Sequence, residues 1–151
     1  MGRSRRAALA ALVLLASACG RDVDAIRTRD LEGARAAFME NIAAITARDT
    51  ERYLAGYLQT DDLVALSPDG LVQGFEPLAA QRRASSVWPD TLIAGPPHLQ
   101  WLGPGVVWGA YRYVAVQGGE TAEGWSERVL IRTPDGWKIA VTGVIPATPS
   151  P

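Results

Sequence analysis

Glu127 and a set of aromatic side chains are the groups in this 151-residue chain whose types and spacing could do chemistry. The last hairpin can be registered about a three-residue loop, Pro134-Asp135-Gly136. Thr133 then faces Trp137, and the pairs run Ile131–Ile139, Val129–Val141, Glu127–Gly143 and Trp125–Ile145. That face is nearly all apolar. The opposite face carries Arg128, Leu130, Arg132, Lys138, Ala140 and Thr142. A slip of one residue would exchange the faces and place the charges inside. On this register Glu127 is the one carboxylate on the apolar face. Burial raises a carboxylate's pKa unless a cation or a hydrogen bond compensates. Groups perturbed in this way recur in functional clefts, so Glu127 is the candidate general base. The alternative is that it sits at the open end of the sheet, wet or paired with Arg112.

The aromatic residues give Glu127 its context. Tyr53 and Tyr57 stand four apart, on one face of a short helix. Trp101, Trp108, Tyr111, Tyr113 and Trp125 fall on expected strands. Small-molecule pockets are mostly apolar and aromatic with a few polar groups. The candidate ligand-binding set is therefore Tyr53, Tyr57, Trp101, Tyr111, Trp125 and Glu127. A tyrosine hydroxyl beside Glu127 would orient a carbonyl or hydroxyl ligand. Aromatics are equally at home in cores and interfaces. The length of the Gly118-Gly119 loop leaves open whether Tyr111 or Arg112 points inward.

Other chemistries find no residues to use. Zinc takes about three or four His, Cys or carboxylate ligands. The chain has one histidine, His98, and one cysteine. His98 follows Pro96-Pro97 and reads as an exposed edge residue. No Gly-x-Ser-x-Gly elbow and no glycine-rich phosphate loop is present. The sequence gives no reason to expect a metal or a cofactor.

These groups must be positioned by a small set of elements. Leu31, Ala34, Phe38, Ile42 and Ile45 recur at helical spacing, with Arg29, Glu32, Arg35, Glu40 and Arg48 on other faces. Gly33 is a mild cost within that helix. A second helix starts at Asp49 or Thr50, both good N-caps. A strand over Leu63–Leu66 turns at Ser67-Pro68-Asp69-Gly70 and returns through Leu71-Val72. Glu76–Val87 reads as a helix that ends at Trp88-Pro89. Antiparallel strands follow at His98–Leu102, Val106–Gln117, Gly124–Thr133 and Trp137–Ile145. The expected domain spans residues 28–146, and residues 147–151 form a Pro-rich tail expected to be disordered.

The N-terminus carries a different signal. Arg3, Arg5 and Arg6 precede an apolar run from Ala7 to Ala16, then small residues, then Cys19. That is the order of a secretory signal peptide, and residues 1–18 are read as one. The run is about half the ~20 residues a membrane span needs. Leu15-Ala16-Ser17-Ala18-Cys19 resembles a bacterial lipobox, with Ala16 where a larger aliphatic residue is usual. The resemblance implies a lipid on Cys19, a tether over residues 19–27, and a domain held outside the cytoplasm at a membrane of the cell envelope. The alternative is an ordinary signal peptide and an incidental thiol. Without the three leader arginines, 16 acidic residues outweigh the basic ones and the formal charge falls from −1 to near −4. Nucleic acid is not an expected partner, because phosphate backbones require clustered Lys and Arg.

The order of elements, with Tyr53-Leu54-Ala55-Gly56-Tyr57, Asp62 through Gly70, Gly74, and Gly124-Trp125 through Ile139, resembles the SnoaL-like branch of the nuclear transport factor 2-like superfamily. The resemblance covers about residues 28–145. It implies an α+β cone, in which N-terminal helices pack in a strongly curved antiparallel sheet with a pocket at the wide end. It also implies that pairing of two copies through the outer sheet face is common. The ketosteroid isomerase base of that superfamily falls at Ser67 here. The His and Asp that many relatives carry on the last strand fall at Val141, Thr142 and Gly143. None of these four can do that acid–base work. The leading expectation is an exported domain that binds a small, largely apolar molecule or a protein partner without catalysis. One alternative is an isomerase, cyclase or hydrolase with Glu127 as base and Tyr53, Tyr57 or Tyr111 as proton donor. The other is a dimeric structural or assembly module.

Overall fold

A computed structural model describes residues 3–147, with side chains from Asp22 onward. Residues 1–2 and 148–151, and the side chains of residues 3–21 with that of Cys19 among them, lie outside what is described. Helix α1 (Arg3–Ala47) runs through the segment expected to be a tether. Its packed part begins only at Asp30. From Asp22 to Arg29 every side chain except Ile26 is exposed. Asp30, Ala34, Phe38, Asn41, Ile42 and Ala44 are buried, a stripe at spacings of one to four. The five charged residues expected on the other faces are all exposed. Gly33 has a packing reason. A Cβ there would stand 2.8 Å from Cδ1 of Trp137, so a bare backbone is what lets the helix seat against β7.

Arg48 ends α1 with φ 56°, the left-handed conformation common just past a helix end. Asp49 then caps α2 (Thr50–Ala55), accepting the Arg52 N–H at 3.0 Å. The remaining elements are β1 (Val64–Ser67), β2 (Gly70–Gln73), α3 (Phe75–Ala84), β3 (Thr91–Ala94), β4 (His98–Gly103), β5 (Val106–Gln117), β6 (Glu120–Thr133) and β7 (Gly136–Pro146). The sheet order is β2-β1-β7-β6-β5-β3, and β4 also pairs with β5. The long β5 is shared along one edge by β4 at its start and β3 at its end. The sheet curls around α1, and the core sits between them. Phe38, Leu54, Tyr57, Leu63, Val107, Leu130 and Ile139 are essentially inaccessible. Burying each such side chain stabilises by about 1.5–3 kcal/mol.

Pairing and turns differ from the sequence reading at three points. β1 joins β7 in parallel, so the sheet is mixed. β3 was not expected. It is four residues set between Pro89 and Pro96-Pro97, too short to show a period. The last turn is one residue tighter than expected: Thr133 faces Gly136, whose φ of 98° only glycine adopts readily. A register shift between Val129 and Leu130 leaves Ala140 without a partner and restores the pairs Val129–Val141, Glu127–Gly143 and Trp125–Ile145.

The faces of β6 are the reverse of the expectation. Gly124, Ser126, Arg128 and Leu130 are buried toward the helices, and Trp125 is 43 % exposed on the outer side. The face that looked like core, with Trp125, Glu127, Val129 and Ile131, is the outside of the cone. The face that looked charged is inside because Arg128 finds aromatic partners there. Tyr111 points inward and Arg112 outward, where Arg112 pairs with Glu123 at 2.7 Å.

Candidate binding site

The inner face of the sheet, α1, α2 and α3 enclose an open cavity of about 350 Å³. That is at the lower end of the roughly 300–1,000 Å³ found for small-molecule sites. Each wall has an evident origin. α1 contributes Ile45 and α3 contributes Leu78. Inward residues of β3 and β5 contribute Leu92, Tyr111, Tyr113 and Ala115. Leu66 and Val144 also line the cavity, yet are 51 % and 39 % exposed, as a rim would be.

The lining surface is mostly apolar, with polar groups set into it. The Tyr57 hydroxyl donates to the Tyr53 hydroxyl at 2.6 Å. Burial pushes the Tyr57 pKa well above its ordinary value, reinforced by Tyr53 and partly opposed by Arg128 and Thr142. Tyr57 therefore stays a neutral donor. Because its oxygen accepts from Tyr57, the Tyr53 hydroxyl keeps its own proton to offer elsewhere. Ser67, Ser126 and Thr142 add hydroxyls, and Gln81 an amide. Arg128, 2 % exposed, is the cation of the lining. The lining holds no carboxylate and no imidazole.

The residues expected to bind ligand divide into three groups. Tyr53, Tyr57 and Tyr111 line the cavity. Trp125 and Glu127 do not. They lie on the outer face in a second groove with His98, Trp108, Ala110 and Ile145. There the Glu127 carboxylate accepts from the Trp108 indole N–H at 3.3 Å. Glu127 is thus on the opposite face of β6 from the tyrosines that would serve it, and a base–donor pair between them does not form. Trp101 is elsewhere again. Its indole N–H donates to Asp30 at 3.2 Å.

Asp30 and Arg128 are the two buried charges that the sequence reading missed. Asp30 also accepts the Gly105 N–H at 2.7 Å and pairs with Arg132 at 3.1 Å. Burial alone would raise its pKa. The Gly105 and Trp101 hydrogen bonds, with Arg132 and Arg29, outweigh that and hold it below the ordinary carboxylate value. This cluster ties α1 to β4 and β6, and it has structural work. Its sequence signal was present: Asp30 falls one residue before Leu31, on the apolar stripe. Among the described residues no group of three or more His, Cys, Asp or Glu could hold a metal. Among them, too, no helix is long and apolar enough to cross a membrane.

No protein-family model and no curated protein matches the sequence. Solved structures do match in shape. A cystatin-like fold protein from Burkholderia xenovorans LB400 aligns with TM-score 0.70 at 22 % identity, over 80 % of this chain and 95 % of that one. A nuclear transport factor 2-like superfamily protein from Salmonella enterica serovar Typhimurium aligns with TM-score 0.67 at 17 % identity, over 82 % and 95 %. A protein of the nuclear transport factor 2-like family from Streptomyces avermitilis aligns with TM-score 0.66 at 16 % identity, over 80 % and 98 %. At such identities the likeness speaks for architecture, and the chain has the cone-shaped α+β fold of the nuclear transport factor 2-like proteins.

Proposed function

We propose that this protein is an exported, membrane-tethered domain that binds a small, largely apolar molecule in its cone and performs no acid–base chemistry on it. The observation that carries the reading is the composition of the cavity lining. Its walls are mostly apolar and aromatic, with hydroxyl, amide and guanidinium groups but no carboxylate or imidazole. Ser67 and Thr142, which stand where the resembled enzymes place acid–base groups, both line the cavity and offer only hydroxyls. Neither titrates in a range useful to general acid–base catalysis. The tether rests on the basic cluster, apolar run and Cys19 at the N-terminus.

The neutral fluorophore N-phenyl-1-naphthylamine tests the binding site. The expected result is saturable binding at one site per chain. Ala115→Trp, which fills the cavity from β5, should weaken it by about tenfold or more, or ~1.4 kcal/mol, with the far-ultraviolet circular dichroism unchanged. A probe that does not bind, or that binds Ala115→Trp equally, contradicts the reading. Cys19→Ser tests the tether separately: the variant should leave the membrane fraction for the soluble one.

The outer groove favours a second reading, a homodimer. Trp125, Val141 and Ile145 are 43 %, 38 % and 54 % exposed, all on the outer face of β6 and β7. Apolar side chains exposed together on one sheet face are the kind of surface that takes a partner. The two readings use opposite faces of the same strands, so one does not exclude the other.

A further inference from the structure

Arg128 has too few partners for its burial. The side chain is 2 % exposed and none of the ion pairs among the described residues includes it. Nη1 donates to the Phe38 carbonyl at 3.3 Å, and buried Nε has no hydrogen-bond partner among the described residues. The guanidinium lies 4.5 Å from the Phe38 ring centroid and 5.3 Å from that of Tyr111. Contacts with aromatic rings offset part of the cost of burying a cation. They do not bring a counter-charge, and they leave edge donors unused. A buried charge is ordinarily paired.

We infer that the cone takes an apolar acid, whose carboxylate is held by the Arg128 guanidinium and the free Tyr53 hydroxyl proton while its hydrocarbon body lies along Ile45, Leu78 and Leu92. This rests on the binding role proposed above and adds the class of ligand. The guanidinium presents a planar fork of donors that matches a carboxylate. Tyr53 and Arg128 line the same cavity, and the lining has no acidic side chain to repel an anion. The body of the ligand is largely apolar because most of the lining surface is. The cavity volume of about 350 Å³ suits a molecule of modest length, not a two-chain lipid.

Displacement of bound N-phenyl-1-naphthylamine by decanoate and by decanol, which differ in the head group, reads the head-group preference on the full chain. The wild type should be displaced by decanoate at a concentration at least tenfold below that for decanol. Arg128→Gln should lose most of that preference while still binding the neutral probe, and Arg128→Lys should keep part of it. Equal displacement of the wild type by acid and alcohol overturns the inference, as does an Arg128→Gln variant that retains the full preference. If Arg128→Gln does not fold, the wild-type ratio and Arg128→Lys decide: a Lys variant with a reduced preference supports the inference, and one with the full wild-type preference overturns it. Failure of the probe to bind the wild type at all would strike the binding role itself, a separate outcome.

Discussion

Asp30, Arg128 and Glu127 show how a charged residue's role depends on which face it occupies. Asp30 is fully buried; its Oδ2 accepts from Gly105 and Trp101, and Arg132 stands 3.1 Å from Oδ1 as an ion-pair partner. Asp30→Ala strands those donors and should cost about 3 kcal/mol, measured by urea unfolding. Its pKa is held below the ordinary value. The stabilisation is therefore complete above the unfolded carboxylate pKa of about 3.9 and is lost as pH falls through the lower folded value. Wild-type unfolding free energy should drop below about pH 4, more steeply than that of Asp30→Asn. Glu127→Gln, on the outer face, should leave probe binding in the cone unchanged; a tenfold loss would return Glu127 to the site. Glu127 stood out in the sequence because its neighbours were apolar. Apolar neighbours mark a buried face only if that face is the inside, and hairpin patterning cannot say which side is covered. Arg128 reads as an outward charge for the same reason. Its aromatic partners come from α1 and β5, far away in sequence.

At the level of elements, periodicity and turn chemistry went far. The α1 stripe, the Asp49 cap, the β1–β2 hairpin and the three long strands were legible because each is set by local rules. β3 was not, since four residues between prolines show no alternation. Nor was the parallel pairing of β1 with β7, which only the closed cone determines. The bulge at Ala140 was also silent in the sequence, yet it kept the outer half of the expected register intact. Gly33 links element to packing. Gly33→Ala relieves a helix cost of about 1 kcal/mol but drives a methyl into the Trp137 indole. Overpacking costs about 1–3 kcal/mol, so the variant should melt below the wild type. A higher melting temperature would mean that Trp137 moves aside freely.

The whole molecule is a cone with two usable faces. Inside is a cavity with tyrosine hydroxyls and a cation; outside is a groove edged by Trp125 and Ile145. If copies pair through the outside, light scattering should give twice the chain mass, and Trp125→Arg should halve it without changing binding inside. The measurement that reaches the central claim most directly is nuclear Overhauser contact between bound N-phenyl-1-naphthylamine and the protein's methyl groups. Ligand binding in the cone predicts contacts to Ile45, Leu78 and Leu92. Contacts to Ile145, Val129 and Val141 instead would place the ligand on the outer face and contradict the account.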